Sequence, residues 1–258
     1  MTAPRLRRLS LRRLMFAAAL VPLALGMASC KKDAAGAAPA GSALAKLAAP
    51  AGQKWEDMVQ PTASGGMLLG NPAAPIKLIE YGSLSCPHCA QFARDSFQPL
   101  NTDFISTGRV SFEFRSFAIH PQDVPLTMLV RCAPKEAFFP LVEQIYINFD
   151  AMNAPLGDPA VQAKAQAATG LPAAQRLSAL SDALGFTSFF AARGITTDQA
   201  RACLNDTAKA TAISADAKKY SEAGIDQTPT FVINGAQLPA DQSEWTKIAA
   251  ALRTAGAR

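Results

Sequence analysis

Two cysteines three positions apart, Cys86 and Cys89, enclose Pro87 and His88, and their flanks decide what chemistry they can do. Ile76 to Tyr81 precedes them as an apolar, strand-like run, and Ala90-Gln91-Phe92-Ala93-Arg94 follows with the spacing of an amphipathic helix. A strand-to-helix junction puts Cys86 at a helix N-terminus, where unpaired N–H groups and the helix dipole favour a thiolate. Thiolates attack disulfides, so the pattern points to redox exchange. Zinc would need four ligands, and Cys132, Cys203, His120 and His88 supply no second close pair. An inert structural disulfide within Cys-x-x-Cys would be strained. Cys86 is therefore expected to be the exposed nucleophile, with Cys89, one turn deeper, as the partner that closes the disulfide.

The neighbouring residues tune that pair. Pro87 suits a first helical turn, where its missing N–H costs nothing. His88 can offer a partly positive imidazole or an N–H donor to the Cys86 thiolate; its alternative is a solvent-facing polar residue. Stabilising the thiolate stabilises the reduced form and makes the disulfide more oxidising. Glu80 lies six residues before Cys86 in an otherwise apolar strand. Buried there, its carboxyl would have a raised pKa and could relay a proton to or from Cys89. A strand-edge Glu facing solvent is the other reading.

The elements that must hold these groups follow from pattern. Met67 to Leu69 reads as a short strand, Asn71-Pro72-Ala73-Ala74-Pro75 as a turn, and Ile76 to Tyr81 as a central strand. A helix opens at Cys86 and runs to about Phe97. Arg109 to Phe117 alternates apolar Val110, Phe112 and Phe114 with polar Ser111, Glu113 and Arg115, the period of a strand. From Pro121 to about Ser221 the spacing turns helical, with Phe138, Phe139 and Ile145-Tyr146-Ile147 as helix core and His120 as a structural loop residue. Thr228 to Ile233 returns to strand, Asn234-Gly235 makes a hairpin turn, and Gln242 to Ala255 forms a closing helix. The order is β-α-β, about 100 helical residues, then β-β-α: an α/β thioredoxin fold with an all-helical insertion at about 121–222.

The N-terminus speaks for export. Arg5, Arg7, Arg8, Arg12 and Arg13 precede an apolar run from Leu14 to Ala28 that is too short to span a bilayer comfortably. Residues 1–29 read as a signal peptide. Met27-Ala28-Ser29-Cys30 resembles a bacterial lipobox, which would make Cys30 a lipidated mature N-terminus; an ordinary cleavage near Ala28 would leave Cys30 a stray thiol. The net charge of +5 comes from 25 Lys and Arg against 20 Asp and Glu. Five of those arginines precede Cys30, so the mature chain is neutral and gives no case for nucleic-acid binding. Between Cys30 and Lys54, 15 of 25 residues are Ala, Gly or Pro. That composition suits a tether, taken to cover 30–62 with nascent helix around Ala43 to Ala49, ahead of a folded domain at 63–258.

Glu80-Tyr81-Gly82-Ser83-Leu84-Ser85-Cys86-Pro87-His88-Cys89, Gly224 to Gly235 with its Thr228-Pro229-Thr230-Phe231, and the helical insertion together resemble the DsbA-like branch of the thioredoxin superfamily, bacterial exported disulfide oxidoreductases. The resemblance implies that Thr228-Pro229 is a cis-proline loop packing on the redox pair and offering main-chain groups to a substrate strand; a trans proline opening an ordinary strand is the alternative. It implies an acidic proton relay at Glu80. It also implies a second, non-catalytic disulfide between Cys132 and Cys203, which pairing in an oxidising compartment favours as well; an unbonded buried thiol pair is the alternative.

The expected activity is a periplasmic thiol:disulfide oxidoreductase that donates its disulfide to reduced exported proteins and is reoxidised by a membrane quinone-linked partner. It would act as a monomer, touching the membrane through the Cys30 lipid. No metal and no cofactor beyond the Cys86–Cys89 disulfide is expected. An isomerase or reductase competes, although the segment before Trp55 is too short for a dimerisation module. A non-catalytic holdase, or a copper-handling lipoprotein using Cys86, His88 and Cys89 as soft ligands, is the reading from another class.

Overall fold

Ile76 and Leu78 are shielded from solvent almost completely, which marks their strand as the middle of the sheet. The computed structural model describes residues 43–258, so the signal peptide and Cys30 lie outside the described residues. Within them the strands are β1 (Val59–Pro61), β2 (Met67–Gly70), β3 (Ile76–Gly82), β4 (Val110–Ser116), β5 (Thr230–Ile233) and β6 (Ala236–Gln237). They form one six-stranded sheet in the order β1-β2-β4-β3-β5-β6. Only β3 and β4 run parallel, joined by helix α1 (Pro87–Pro99); the other pairs are antiparallel. A parallel pair needs such a crossover, and its helix begins where β3 ends.

Between β4 and β5 lie α2 (Asp123–Val130), α3 (Phe138–Ile147), α4 (Phe149–Asn153), α5 (Pro159–Ala168), α6 (Ala173–Ala183), α7 (Phe186–Ala191), α8 (Thr197–Leu204) and α9 (Thr207–Glu222). After β6 comes α10 (Trp245–Thr254). This is the thioredoxin arrangement with a helical insertion. The main core packs α1, α3 and α10 against the sheet: Phe92 meets Phe231 at 4.4 Å between ring centroids, Trp245 meets Phe104 at 5.7 Å, and Phe112 meets Phe139 at 5.7 Å. Ile147 lies outside that core, more than half exposed at the end of α3.

The alternation in β4 suggests one wet face, yet both faces are covered. A second, smaller cluster contains Tyr81, Phe117, Ala217, Tyr220, Ile225 and Val232, with Tyr220 carried by α9. The charged residues of β4 survive burial by pairing. Arg115 donates to both Glu113 oxygens at 2.9 and 3.0 Å and to the Tyr81 hydroxyl at 2.7 Å, while Thr62 donates to Glu113 at 2.6 Å. Buried charge is tolerated when its hydrogen bonds are met.

The expected tether needs correcting over its second half. The folded body begins before residue 63: β1 pairs with β2, and Trp55 is buried with its indole N–H donating to Leu47 O at 2.8 Å. Leu44 N–H donates to Gly256 O and Leu47 N–H to Thr107 O, so 43–49 is extended rather than helical. Composition misled here because main-chain groups and two or three large side chains, not average hydropathy, dock the segment. Gly108 records the contact. At φ +69° it lies where a Cβ would fall 2.5 Å from both Leu47 O and Trp55 Nε1.

Cys132, just beyond α2, and Cys203, on α8, form a disulfide with Cα atoms 6.0 Å apart, spanning 71 residues. It ties the first helix of the insertion to the penultimate one. Replacing both cysteines by Ala should lower unfolding stability by about 4 kcal/mol, the loop-closure value for that length, measured by urea denaturation with the Cys86–Cys89 pair kept oxidised. An unchanged midpoint would contradict the constraint.

Candidate active site

Cys86 occupies the N-cap of α1, Pro87 is its first residue, and Cys89 sits one turn in. The main-chain N–H groups of Cys89 and His88 thereby point back at the Cys86 sulfur. The two cysteines are not joined by a disulfide in this structure. Cys89 is fully enclosed, and Cys86 is only 5 % exposed. That is less than a surface nucleophile was expected to show, because the loop before β5 covers it. The Thr228–Pro229 peptide is cis, and the Cys86 thiol lies 3.3 Å from Thr228 O.

These neighbours set the electrostatics. The Cys89 thiol, donating to Cys86, brings the Cys86 pKa down to about 5 against the opposing cost of burial, helped by Thr228 and by the N–H groups of Cys89 and His88. The buried Thr228 hydroxyl has no hydrogen-bond partner among the described residues. Burial pushes the Cys89 thiol well up, and the adjacent Cys86 and Glu80 push it further. The two sulfurs are thus separated into a ready thiolate and a stubborn thiol. Pro87 and His88 are exposed. The His88 main-chain N–H helps to lower the Cys86 pKa, and its side chain is exposed.

Glu80 lies on β3, opposite Phe114 of β4 and Phe231 of β5. It is 3 % exposed, facing the interior and not solvent. Burial first, then the Cys86 charge, pushes its carboxyl up to about 8, while a hydrogen bond with Cys89 works the other way. A cavity of about 20 Å³, room for one water, adjoins it among Ser96, Asn101, Tyr146 and apolar side chains. Glu80 Oε1 and Asn101 Oδ1 have no protein partner.

Sequence reasoning missed a polar cluster on the other side of Cys86. Asp123, at the start of α2 and 1 % exposed, accepts from Ser83 Oγ (2.9 Å to each oxygen), Ser85 N (3.0 Å), Ser85 Oγ (2.9 Å), Ile119 N (3.1 Å) and His120 N (2.9 Å). His120 Nδ1 lies 3.1 Å from Ser85 Oγ, so this residue belongs to the site's surroundings and not simply to a loop. The Tyr146 hydroxyl donates to Ser83 O at 3.0 Å. Ser83 and Ser85 flank the cysteine in sequence and gave a weak hint; nothing in the spacing pointed to Asp123 or Tyr146.

Comparison with known proteins agrees with this architecture. Residues 62–251 match a family model described as thioredoxin. The chain belongs to the thioredoxin family. A protein-disulfide isomerase from Novosphingobium aromaticivorans superposes with a TM-score of 0.67 at 29 % identity, covering 72 % of this chain and 94 % of the other. Wolbachia pipientis α-DsbA1 gives a TM-score of 0.59 at 24 % identity over 74 % of this chain and 91 % of the other, a likeness of fold. Disulfide bond formation protein D of Bacillus subtilis is 36 % identical over 70 residues, 27 % of this chain and 32 % of that protein. The matches to curated relatives span about a third or less of those proteins' lengths.

The Glu80 environment has a pH signature. Unfolded, the carboxyl ionises near 4.5; folded, it holds its proton to about 8. Between those values the folded state binds more protons, so stability falls as pH rises, by at most about 1.4 kcal/mol per pH unit. In the oxidised protein neither cysteine titrates, and burial remains to raise Glu80. Denaturation of the oxidised protein from pH 5 to 8 should therefore show Glu80→Gln gaining on the wild type as pH climbs. A constant difference would refute the assignment.

Proposed function

We propose that this chain is a DsbA-like thiol:disulfide oxidoreductase that donates the Cys86–Cys89 disulfide to reduced exported proteins. The observation that carries the reading is the asymmetry of the pair: a Cys86 thiolate with pKa about 5 beside a buried Cys89 thiol pushed up. A low-pKa sulfur stabilises the reduced form and leaves easily, both marks of an oxidant.

The exchange then runs in two displacements. A substrate thiolate attacks Cys86 Sγ of the disulfide, forming a mixed disulfide and expelling Cys89. Glu80, still protonated at neutral pH, supplies the proton that Cys89 takes up. A second substrate thiolate attacks the substrate sulfur, forming the substrate disulfide and releasing Cys86 as thiolate. Two substrate thiols are oxidised and one enzyme disulfide reduced. In this reading the main-chain groups of Thr228, beside Cys86 at the cis peptide, receive an extended substrate segment.

The compartment that suits this chemistry is the periplasm, with a membrane quinone-linked partner restoring the disulfide. Anchoring through a lipid on Cys30 belongs to the same proposal. No helix among the described residues is long and apolar enough to cross a membrane.

Two measurements check the reading. Thiolate absorbance should titrate with a midpoint near 5 and vanish in Cys86→Ser, while Cys89→Ser should accumulate mixed disulfides when its Cys86 thiolate attacks a disulfide-bonded substrate, since no Cys89 thiol is left to resolve them. The reduction potential, from equilibration with glutathione, should lie well above thioredoxin's value of about −270 mV. A potential at or below that value would rule out the oxidase and favour a reductase.

A further inference from the structure

Asp123 is a buried carboxylate with an unusual set of partners. It stands at the N-terminus of α2, yet it does not cap that helix: its backbone donors are Ile119 and His120, upstream, and Ser85, beside the redox pair. Among the described residues no Lys or Arg pairs with it; the cationic candidate beside it is His120 Nδ1 at 3.6 Å. Burying a carboxylate is costly, and here the return is a connection between the helical insertion and the turn that ends β3.

That turn governs Cys86. Cys86 N–H donates to Ser83 O at 3.2 Å, closing the turn from which α1 starts. Ser83 is held at both ends by the insertion, its hydroxyl by Asp123 and its carbonyl by the Tyr146 hydroxyl. Ser85 N–H and Oγ are held by Asp123 as well. The Ser83 N–H in turn faces the Cys89 sulfur. Cys89 follows Cys86 by one turn of α1, so the direction of that first turn decides how its thiol meets the Cys86 sulfur.

We propose that Asp123 is a positioning residue for the redox centre: through Ser83 and Ser85 it holds the turn that aims α1 and the Cys89 thiol at the Cys86 sulfur, and thereby sets the exchange equilibrium of the pair. The inference rests on the dithiol–disulfide exchange proposed above. Asp123 touches no reacting atom. Its carboxylate has one oxygen facing Ser85 N–H and the other facing Ile119 and His120 N–H. An amide cannot serve both sides, because whichever way it is turned its NH₂ opposes an N–H.

Asp123→Asn therefore breaks one of the two grips without changing side-chain volume. The Cys86 thiolate midpoint should rise, and the equilibrium with glutathione should move about tenfold toward the protein disulfide, about 30 mV more negative. Ser83→Ala should shift both in the same direction, and the double variant should do no more than the larger single one. If the carboxylate acted only as a charge, Asn would lower the midpoint and raise the potential. If it served stability alone, denaturation would move while midpoint and potential stayed put. Either result overturns the proposal. Should Asp123→Asn fail to fold, Ser83→Ala gives the same readouts. Wild-type protein that turns over no disulfide would sink the oxidoreductase reading instead, and the thiolate midpoint is measurable in either case.

Discussion

A thiolate stabilised by hydrogen bonds rather than by a neighbouring cation is the constraint on which this site depends. Causes acting on Cys86 are the Cys89 thiol, Thr228 and two main-chain N–H groups at the start of α1, set against burial. Such donors act only over short distances and in favourable directions. Everything that fixes the start of α1 therefore counts: its N-cap geometry, the Ser83–Cys86 turn and the loop carrying the cis Thr228–Pro229 peptide. A lysine on a flexible stem would have tolerated a looser frame.

Much of that frame was legible in the residues. The apolar run at Ile76–Tyr81, the alternation around Phe112 and Phe114, and the Asn234-Gly235 turn each express a local rule, and each element formed close to its expected bounds. The strand carrying Glu80 also implied burial, since its neighbours are apolar. Three things were not legible. The Ala-rich segment around Leu44 and Leu47 docks through main-chain hydrogen bonds, which composition does not encode. The second face of the sheet is covered by α9, whose Tyr220 meets Tyr81 and Phe117, contacts between residues far apart in sequence. Asp123 reaches Ser83 and Ser85 across about 40 residues, and an acidic residue opening a helix ordinarily signals a cap.

The imidazole of His88 illustrates a different gap. A side chain between two reactive cysteines invites a reading by charge, but the helix turns it toward solvent and leaves its backbone N–H facing the sulfur. Residue identity at that position shapes the exposed surface beside Cys86. Main-chain direction supplies the electrostatics. The helical insertion has a part in both, since Asp123 and Tyr146 hold Ser83 while His120 reaches Ser85.

The raised Glu80 and lowered Cys86 pKa values together fix what the centre looks like from outside in each redox form. Near neutral pH, Glu80 and Cys89 keep their protons and Cys86 does not. With the disulfide formed, Cys86 bears no charge; with the disulfide spent, it bears one negative charge at the rim. In the oxidase cycle proposed above, where oxidising equivalents are given to one partner and collected from another, the protein presents two electrically different faces on the same surface. An acidic reduced substrate meets no local repulsion before reaction and gains some after it, which favours release. In that cycle a reoxidising partner with a basic rim would be drawn to the negatively charged spent form and not to the oxidised one. Discrimination between the two halves of such a cycle needs no moving part.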